Sequence, residues 1–378
     1  MKLAAARQAA FAALLAVERG AWSAETVAAK TLYLDPRDAA LGSEIVFGVL
    51  RRKGELDAAL ESLSNRHAGR LDSAVRIALE MGLYQLRFLD RVPPHGVVND
   101  AVELARRAGK ASAGGLVNAI LRRALRERIT TGEGLSTPAW LYERWTHQYG
   151  PEAASGIAQA SLQRPARYTR VPPGQTPPMG AEPTEFPGCY VLHAGDAGPF
   201  RFQDIGSQMV IPLLDLRPGQ TFLDVCAAPG NKTAEALEYG VRAVACDLHL
   251  SRAKMLLPLG IPVVVLDAMK PLPFASQFDR ILVDAPCSGT GTLARNPEIK
   301  WRLTPADIVD LQQRQVAILR NALRLVRPGG LLVYSTCSLE REENEDVIAQ
   351  SGAKVERTFE RIPGRDAGDG FFAAVLRH

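Results

Sequence analysis

Two cysteines stand where a nucleophile could work. Cys287 lies in Asp284-Ala285-Pro286-Cys287-Ser288-Gly289, and Cys337 in Tyr334-Ser335-Thr336-Cys337-Ser338. Each follows a short apolar, β-branched run, and these runs predict strands over Arg280–Val283 and Leu331–Ser335. A lone cysteine at a strand end is commonly a small buried hydrophobe. Two at neighbouring strand ends, each near helix-start N–H groups that lower a thiol pKa, read instead as reactive thiols facing one cleft.

Four carboxylates have a similar placement. Asp224, Asp247, Asp267 and Asp284 fall at or near the ends of runs expected to be strands: Thr221–Val225, Ala243–Cys246, Val263–Leu266 and Arg280–Val283. A single strand-terminal aspartate often only caps the next helix, but four in succession repel one another unless a ligand supplies donors. Between the first two runs, Cys226-Ala227-Ala228-Pro229-Gly230-Asn231-Lys232 makes a tight turn into a helix that begins Thr233-Ala234-Glu235-Ala236-Leu237. Lys232-Thr233 imitates the end of a Walker A loop, yet Cys226 and Asn231 occupy its glycine positions; of a dinucleotide Gly-x-Gly-x-x-Gly only Gly230 is present. A ligand with hydroxyls and an amino-acid moiety suits this turn better, and S-adenosylmethionine is the expected cofactor. Asp247 is then placed to accept from ribose hydroxyls and Asp267 to meet the adenine amino group.

Two thiols beside a methyl donor suggest a particular reaction. Carbon 5 of a pyrimidine is too weak a nucleophile to take a methyl group directly. A thiolate that adds at carbon 6 makes an enamine-like ring whose carbon 5 can attack a sulfonium; loss of the carbon 5 proton and departure of the thiol complete the cycle. One cysteine would add and the other assist release, with Asp284 stabilising charge near N3. An exocyclic-amine methyltransferase needs no thiol.

The elements that must position these groups follow from the same pattern. From Thr221 onward, apolar runs alternate with helical stretches, which predicts an α/β Rossmann-like domain with a parallel, doubly wound sheet and its ligand at the carboxyl ends of the strands. Thr304-Pro305-Ala306-Asp307 should cap a long helix ended by Arg327-Pro328-Gly329-Gly330. Residues 1–130 read as helices throughout, with stripes at Val75, Leu79, Leu83 and Leu86 and at Val117, Ile120, Leu121 and Leu125. Trp140, Tyr142, Trp145 and Tyr149 predict one more helix over Pro138–Tyr149, and prolines then crowd the segment up to 187. The expected domains are therefore 1–130, all helical; 131–205, a linker or small mixed subdomain; and 206–378, the cofactor domain.

The 378 residues carry a net charge of +4 at pH 7. The surplus is N-terminal: residues 1–130 hold 20 Lys and Arg against 14 Asp and Glu, a weak sign of a polyanion partner. Arg122, Arg123, Arg126 and Arg128 are either a solvated helix face or a backbone contact for RNA. The first twenty residues resemble a signal peptide, but Arg7 and Gln8 break the apolar run, and Leu3, Ala10, Phe11 and Leu14 sit at helical spacing. No run reaches the roughly 18 apolar residues of a membrane span. The cysteines at 189, 226, 246, 287 and 337 show no metal-ligand pairing and no disulfide framework. A cytoplasmic monomer without metal is expected.

Taken together, Asp224-Val225-Cys226-Ala227-Ala228-Pro229-Gly230-Asn231-Lys232-Thr233, the Asp-Ala-Pro-Cys-Ser-Gly-Thr-Gly segment at 284–291 and Tyr334-Ser335-Thr336-Cys337-Ser338-Leu339 resemble the RNA cytosine carbon-5 methyltransferases. Residues 94–105 with 115–123 resemble the all-helical RNA-binding fold of the antitermination factor NusB. The pair of resemblances spans nearly the whole chain and implies S-adenosylmethionine-dependent methylation of 16S ribosomal RNA. It implies Cys337 as nucleophile, Cys287 as the release residue, and cofactor contacts from Cys226, Ala227, Ala228, Pro229, Gly230, Asn231, Lys232, Asp247, Asp267 and Asp284. Two departures stand out. The family's Pro-Gly-Gly-Lys is Pro229-Gly230-Asn231-Lys232, where Asn231 is expected to hold the positive φ of the missing glycine. The usual Arg-Val-Asn after the linker is absent from residues 165–172. The rival readings are the same chemistry on transfer RNA or another rRNA site, a non-catalytic RNA-binding or assembly factor, and a nicotinamide-dependent oxidoreductase.

Overall fold

A computed structural model describes residues 3–65, 67–127, 136–193 and 195–377. The chain divides into two units, residues 1–163 with 293–302, and residues 164–292 with 303–378. Arg128 and the expected first boundary at residue 130 lie outside the described residues.

The first unit is helical. Ala5–Glu18, Ser23–Thr31, Pro36–Arg51, Lys53–Ser64, Ser73–Phe88, Pro94–Arg107 and Gly114–Arg126 bury one apolar stripe each in a shared core. Val75, Leu79 and Leu83 face inward as their spacing requires, as do Val117, Ile120 and Leu121; Leu125 does not, being 45% exposed. The expected aromatic helix forms as Ala139–Tyr149, with Trp145 fully buried, and is followed by Pro151–Ala160.

Residues 293–302 complete this unit, which local pattern did not suggest. The carboxylate of Glu298 accepts from the N–H (2.8 Å) and hydroxyl (2.7 Å) of Ser23, capping the helix that Ser23 opens. Beside this cap, at the C-terminus of Pro36–Arg51, Trp301 Nε1 donates to Leu50 O at 2.7 Å and Lys300 Nζ to Arg51 O at 2.9 Å. These carbonyls belong to the last turn of Pro36–Arg51, where no intrahelical donor is available and a cation is favoured. Arg51 returns the contact, donating through Nε and Nη2 to Ala294 O.

Lys300 is 1% exposed, and burial pushes its ammonium down to about 7, aided by Arg51 and Arg52 and opposed by Glu55. An unfolded lysine titrates near 10.4. The stability linked to Lys300 is therefore fully present above the unfolded pKa and is lost as pH falls through about 7, where the folded state must take up the proton that the unfolded state already holds. Lys300→Met should flatten the pH dependence of stability between about pH 10 and 7 relative to the parent. Urea midpoints at several pH values for both proteins check this difference, and parallel curves would contradict it.

The second unit opens with a small antiparallel sheet. Its strands are β1 (Arg167–Arg170), β2 (Ala181–Pro183) and β3 (Cys189–Leu192), in the order β1-β3-β2. It continues into a seven-stranded sheet of β4 (Thr221–Asp224), β5 (Arg242–Asp247), β6 (Val263–Val265), β7 (Phe278–Asp284), β8 (Val326–Thr336), β9 (Lys354–Arg361) and β10 (Phe371–Arg377), in the order β6-β5-β4-β7-β8-β10-β9. The five expected strands pair in parallel. Two further strands extend the expected five, with β10 running antiparallel between β8 and β9.

Alternate residues of these strands enter separate cores. Leu223, Ile281, Val283, Leu332 and Tyr334 pack with Val316, Leu319 and Ala322 of the helix Pro305–Leu323; Phe222, Leu282, Leu331 and Val333 pack with Val210–Leu216 and Ala236. A sheet covered on both faces explains why its central strands read as unbroken apolar runs. Pro305–Leu323 starts with the predicted cap: Thr304 and Asp307 form a reciprocal capping box with Pro305 at the first position.

Candidate active site

Strand order sets the four acids in a row. Along the carboxyl edge come β6, β5, β4 and β7, bringing Asp267, Asp247, Asp224 and Asp284 in that sequence, and β8 then presents Cys337. Asp247, 4% exposed, accepts from the backbone N–H of His249 at 3.0 Å. Asp267 lies two residues beyond β6 and accepts from Met269 N at 3.0 Å. Asp224 is buried; Thr233 Oγ1 donates to its Oδ2 at 2.6 Å, while Oδ1 has no partner among the described residues. Burial pushes the Asp224 carboxyl up to about 7, with the Asp284 charge adding to the effect.

The turn between β4 and Asn231–Leu237 is built on close approaches. Ala227 N donates to Cys246 O at 2.8 Å, and Arg252 Nη2 donates to Ala228 O at 2.7 Å. The Ala228–Pro229 peptide is cis. Gly230 carries φ +101°, and a Cβ there would sit 2.8 Å from Leu256 Cδ2. This corrects the expectation for Asn231, which opens the helix and does not have positive φ. Its side chain lies against residues 201 and 202: Arg201 Nη1 donates to Oδ1 at 3.3 Å, and Nδ2 donates to Phe202 O at 3.4 Å.

Beside the acids the two sulfurs meet, with Cys287 Sγ 3.3 Å from Cys337 Sγ. The pairing of β7 with β8 makes this possible, since Val283 is opposite Tyr334 and Asp284 opposite Ser335. Gly291 N donates to Cys337 O at 2.9 Å, and a Cβ on Gly291 would stand 2.7 Å from that oxygen, so only glycine lets the Cys287 loop lie this close. Asp284 completes the group: Lys232 Nζ donates to its Oδ2 at 2.6 Å and Ser335 Oγ to its Oδ1 at 2.8 Å. Burial works against the Lys232 ammonium, but Asp284 more than offsets it and the pKa rises.

Neither sulfur sits at a helix N-terminus, and the expected lowering of the thiol pKa is not seen at Cys287. Its hydrogen bond to Cys337, then burial, push it well above the ordinary value, with the Cys337 and Glu343 charges acting the same way. The remaining thiols are held protonated mainly by burial, Cys189 up to about 11, Cys246 up to about 12 and Cys226 higher still.

Side chains that motif reading missed fix this cluster. Glu343 is buried and accepts from Ser288 N and Gln315 Nε2; Gln315 also donates to Pro286 O, and Asn344 Nδ2 to Ser338 O. The signal available was weak, because Glu342-Glu343-Asn344-Glu345-Asp346 looks like a solvated acidic face. Elsewhere, Arg170 is consumed within the protein by Glu238 (2.5 and 2.8 Å). Among the basic residues of the first unit, Arg123 pairs with Glu127, while Arg122 and Arg126 are exposed. Among the described residues no His, Cys, Asp and Glu group could hold a metal ion, and no helix is long and apolar enough to cross a membrane.

The orphaned buried oxygen of Asp224, the glycine cradle at 230 and the row of acids fit a ligand bearing hydroxyls, an amino group and positive charge. This fold and site define an S-adenosylmethionine-dependent methyltransferase. Residues 211–356 match the family model described as 16S rRNA methyltransferase RsmB/F, and residues 4–126 match that of the NusB family. A probable ribosomal RNA small subunit methyltransferase B of Synechocystis sp. is 35% identical, with 83% of this chain and 81% of that protein covered. The corresponding Bacillus subtilis protein is 32% identical, with coverages of 84% and 81%. The crystal structure of PH0851 shares the fold, with a TM-score of 0.83 and 23% identity over 100% of this chain and 99% of that one. The chain belongs to the RsmB/F family of 16S rRNA methyltransferases. Membership removes the nicotinamide-dependent and non-catalytic readings.

Proposed function

We propose that the protein methylates carbon 5 of a cytosine in 16S ribosomal RNA through a covalent bond between Cys337 and carbon 6. The observation that carries this is the 3.3 Å approach of two thiols at adjacent strand ends, next to a carboxylate; methylation of an amine would use neither sulfur. Bound S-adenosylmethionine supplies an electrophilic methyl group. Asp247 and Asp267, with the backbone of 226–232, would hold its adenosine, and Asp224 and Asp284 its charged end.

The remaining work belongs to the chain. The Cys337 thiolate adds to carbon 6, forming a C–S bond and moving electron density toward carbon 5 and N3. Asp284, held by Lys232 and Ser335, would take the N3 side and pass a proton to N3 as negative charge builds there, the Lys232 ammonium offsetting the charge left on the carboxylate. After methylation, a base removes the carbon 5 proton, the C–S bond breaks, and Cys337 leaves as thiolate; Cys287 serves that release step. The cytosine must leave its stack to reach the sulfurs, so loop or single-stranded RNA is the expected substrate form.

Incubating the protein with 16S rRNA and, in parallel, with transfer RNA, each with isotopically labelled S-adenosylmethionine, followed by bisulfite mapping, tests the proposal. A single protected cytosine is expected. Label on an exocyclic amine would refute the thiol chemistry, and label found only on transfer RNA would refute the substrate.

A further inference from the structure

One buried acid is not used by the chemistry above, yet it touches both cysteine-bearing loops. Glu343 is 0% exposed. Its Oε1 accepts from Ser288 N at 2.8 Å and from Gln315 Nε2 at 2.9 Å. Its Oε2 accepts from Ser338 Oγ at 2.5 Å and from Ser288 Oγ. Ser288 directly follows Cys287 and Ser338 directly follows Cys337. The two serine hydroxyls also lie 3.1 Å apart, and Tyr334 Oη donates to Glu343 O at 2.6 Å. One carboxylate thus fastens the residue after each sulfur to the other and to the helix Pro305–Leu323.

All four groups bonded to the carboxylate are neutral, so its charge has no cation directly against it. A buried charge without a counter-ion acts over several ångströms in a low-dielectric interior. Burial pushes Glu343 above the ordinary carboxylate range while its hydrogen bonds pull it back. Other titratable groups that act on the sulfurs or share their surroundings are Lys232 on Asn231–Leu237, Asp284 on β7, Tyr334 on β8 and Cys226 after β4. Of these, Lys232 is the cation, and its charge interacts with Cys337. The Lys232 cation thus interacts with Cys337, and the Glu343 anion acts on Cys287.

We propose that Glu343 is a positioning residue for the two cysteines: it locks their loops in register and sets a buried carboxylate against the residue that follows Cys287, leaving Cys337 as the attacking sulfur. This rests on the carbon-5 methyltransferase reading for its purpose, but not for its test. The sulfurs alone are symmetric enough that either could attack, and a charge on one side breaks that symmetry.

Glu343→Gln separates the clamp from the charge. The amide oxygen can keep the two N–H donors at the Oε1 position, and the amide N–H groups can donate to the two serine hydroxyls, which rotate to accept. The experiment is site-resolved alkylation of the full-length protein by iodoacetamide across pH, read by peptide mass spectrometry, with thermal unfolding run alongside. Thiolate is the reacting form, so the rate at Cys287 should rise roughly tenfold for each unit its pKa falls. The expected result is faster alkylation of Cys287 near neutral pH in Glu343→Gln, an unchanged unfolding temperature, and a kcat–pH profile shifted toward acid with KM for S-adenosylmethionine unaltered. Glu343→Asp, which restores the charge on a shorter arm, should return the alkylation of Cys287 toward the parent rate. Parent-like alkylation of both cysteines in Glu343→Gln would overturn the proposal. Altered alkylation in a protein whose parent transfers no methyl to 16S rRNA would uphold the role of Glu343 and discard the substrate reading alone.

Discussion

Cys337→Ala is expected to abolish methyl transfer and leave no covalent protein–RNA species, whereas Cys287→Ala is expected to trap one. The loss in the first variant should be on the order of 10⁴-fold or more, the scale seen when a covalent nucleophile is removed. In the second, addition and methylation proceed but release stalls. A denaturant-resistant band dependent on S-adenosylmethionine should therefore appear on a gel. The asymmetry has a physical basis, since the Cys287 thiol is pushed up by its bond to Cys337, by burial and by Glu343. Exchange of the two phenotypes would reverse the assignment while keeping the chemistry. Full activity in both variants would remove the sulfurs from the mechanism.

The second large effect concerns Asp284 and Lys232. Their side chains are 32% and 13% exposed, and the ammonium lies 2.6 Å from the carboxylate. Asp284→Ala leaves a mostly buried cation unpaired, which should cost about 2 kcal/mol, between the values for exposed and fully buried pairs. It should also depress kcat by roughly 10²-fold or more, the scale of removing one electrostatic stabiliser from an active site. The double variant Asp284→Ala/Lys232→Met should regain most of the stability and none of the activity. Urea unfolding and single-turnover transfer separate these effects. If activity returns with stability, Asp284 is only a partner for Lys232.

The site was more legible than its surroundings, for a physical reason. A tight turn, an acid at a strand end and a Pro-Cys step each impose a local rule, so 221–233, 284–289 and 334–338 stood out before any fold was known. Strands β4 to β8 followed from apolar runs that both faces of a covered sheet require. Strand β9, Lys-Val-Glu-Arg-Thr-Phe-Glu-Arg, escaped notice because it is an edge strand exposed along nearly its whole length. Glu343 escaped because no local pattern distinguishes a buried glutamate from its solvated neighbours; only the tertiary approach of Ser288 and Ser338 does. Residues 293–302 escaped for the same reason, their partners at Ser23, Leu50 and Arg51 being more than 240 positions away.

The placement of β10 has a bearing on how the protein is made. Residues 371–377 form the strand that covers β8, and β8 leads directly to Cys337. On the ribosome, that edge stays open until residues 371–377 have emerged, after every other strand of the sheet. The helical unit waits too, since Glu298, Lys300 and Trp301 are translated long after the helices whose ends they seal. Assembly of the strand that leads to Cys337 is thus tied to a segment translated after both thiols, and a nascent chain stalled before residue 371 would carry both thiols without the strand that covers β8.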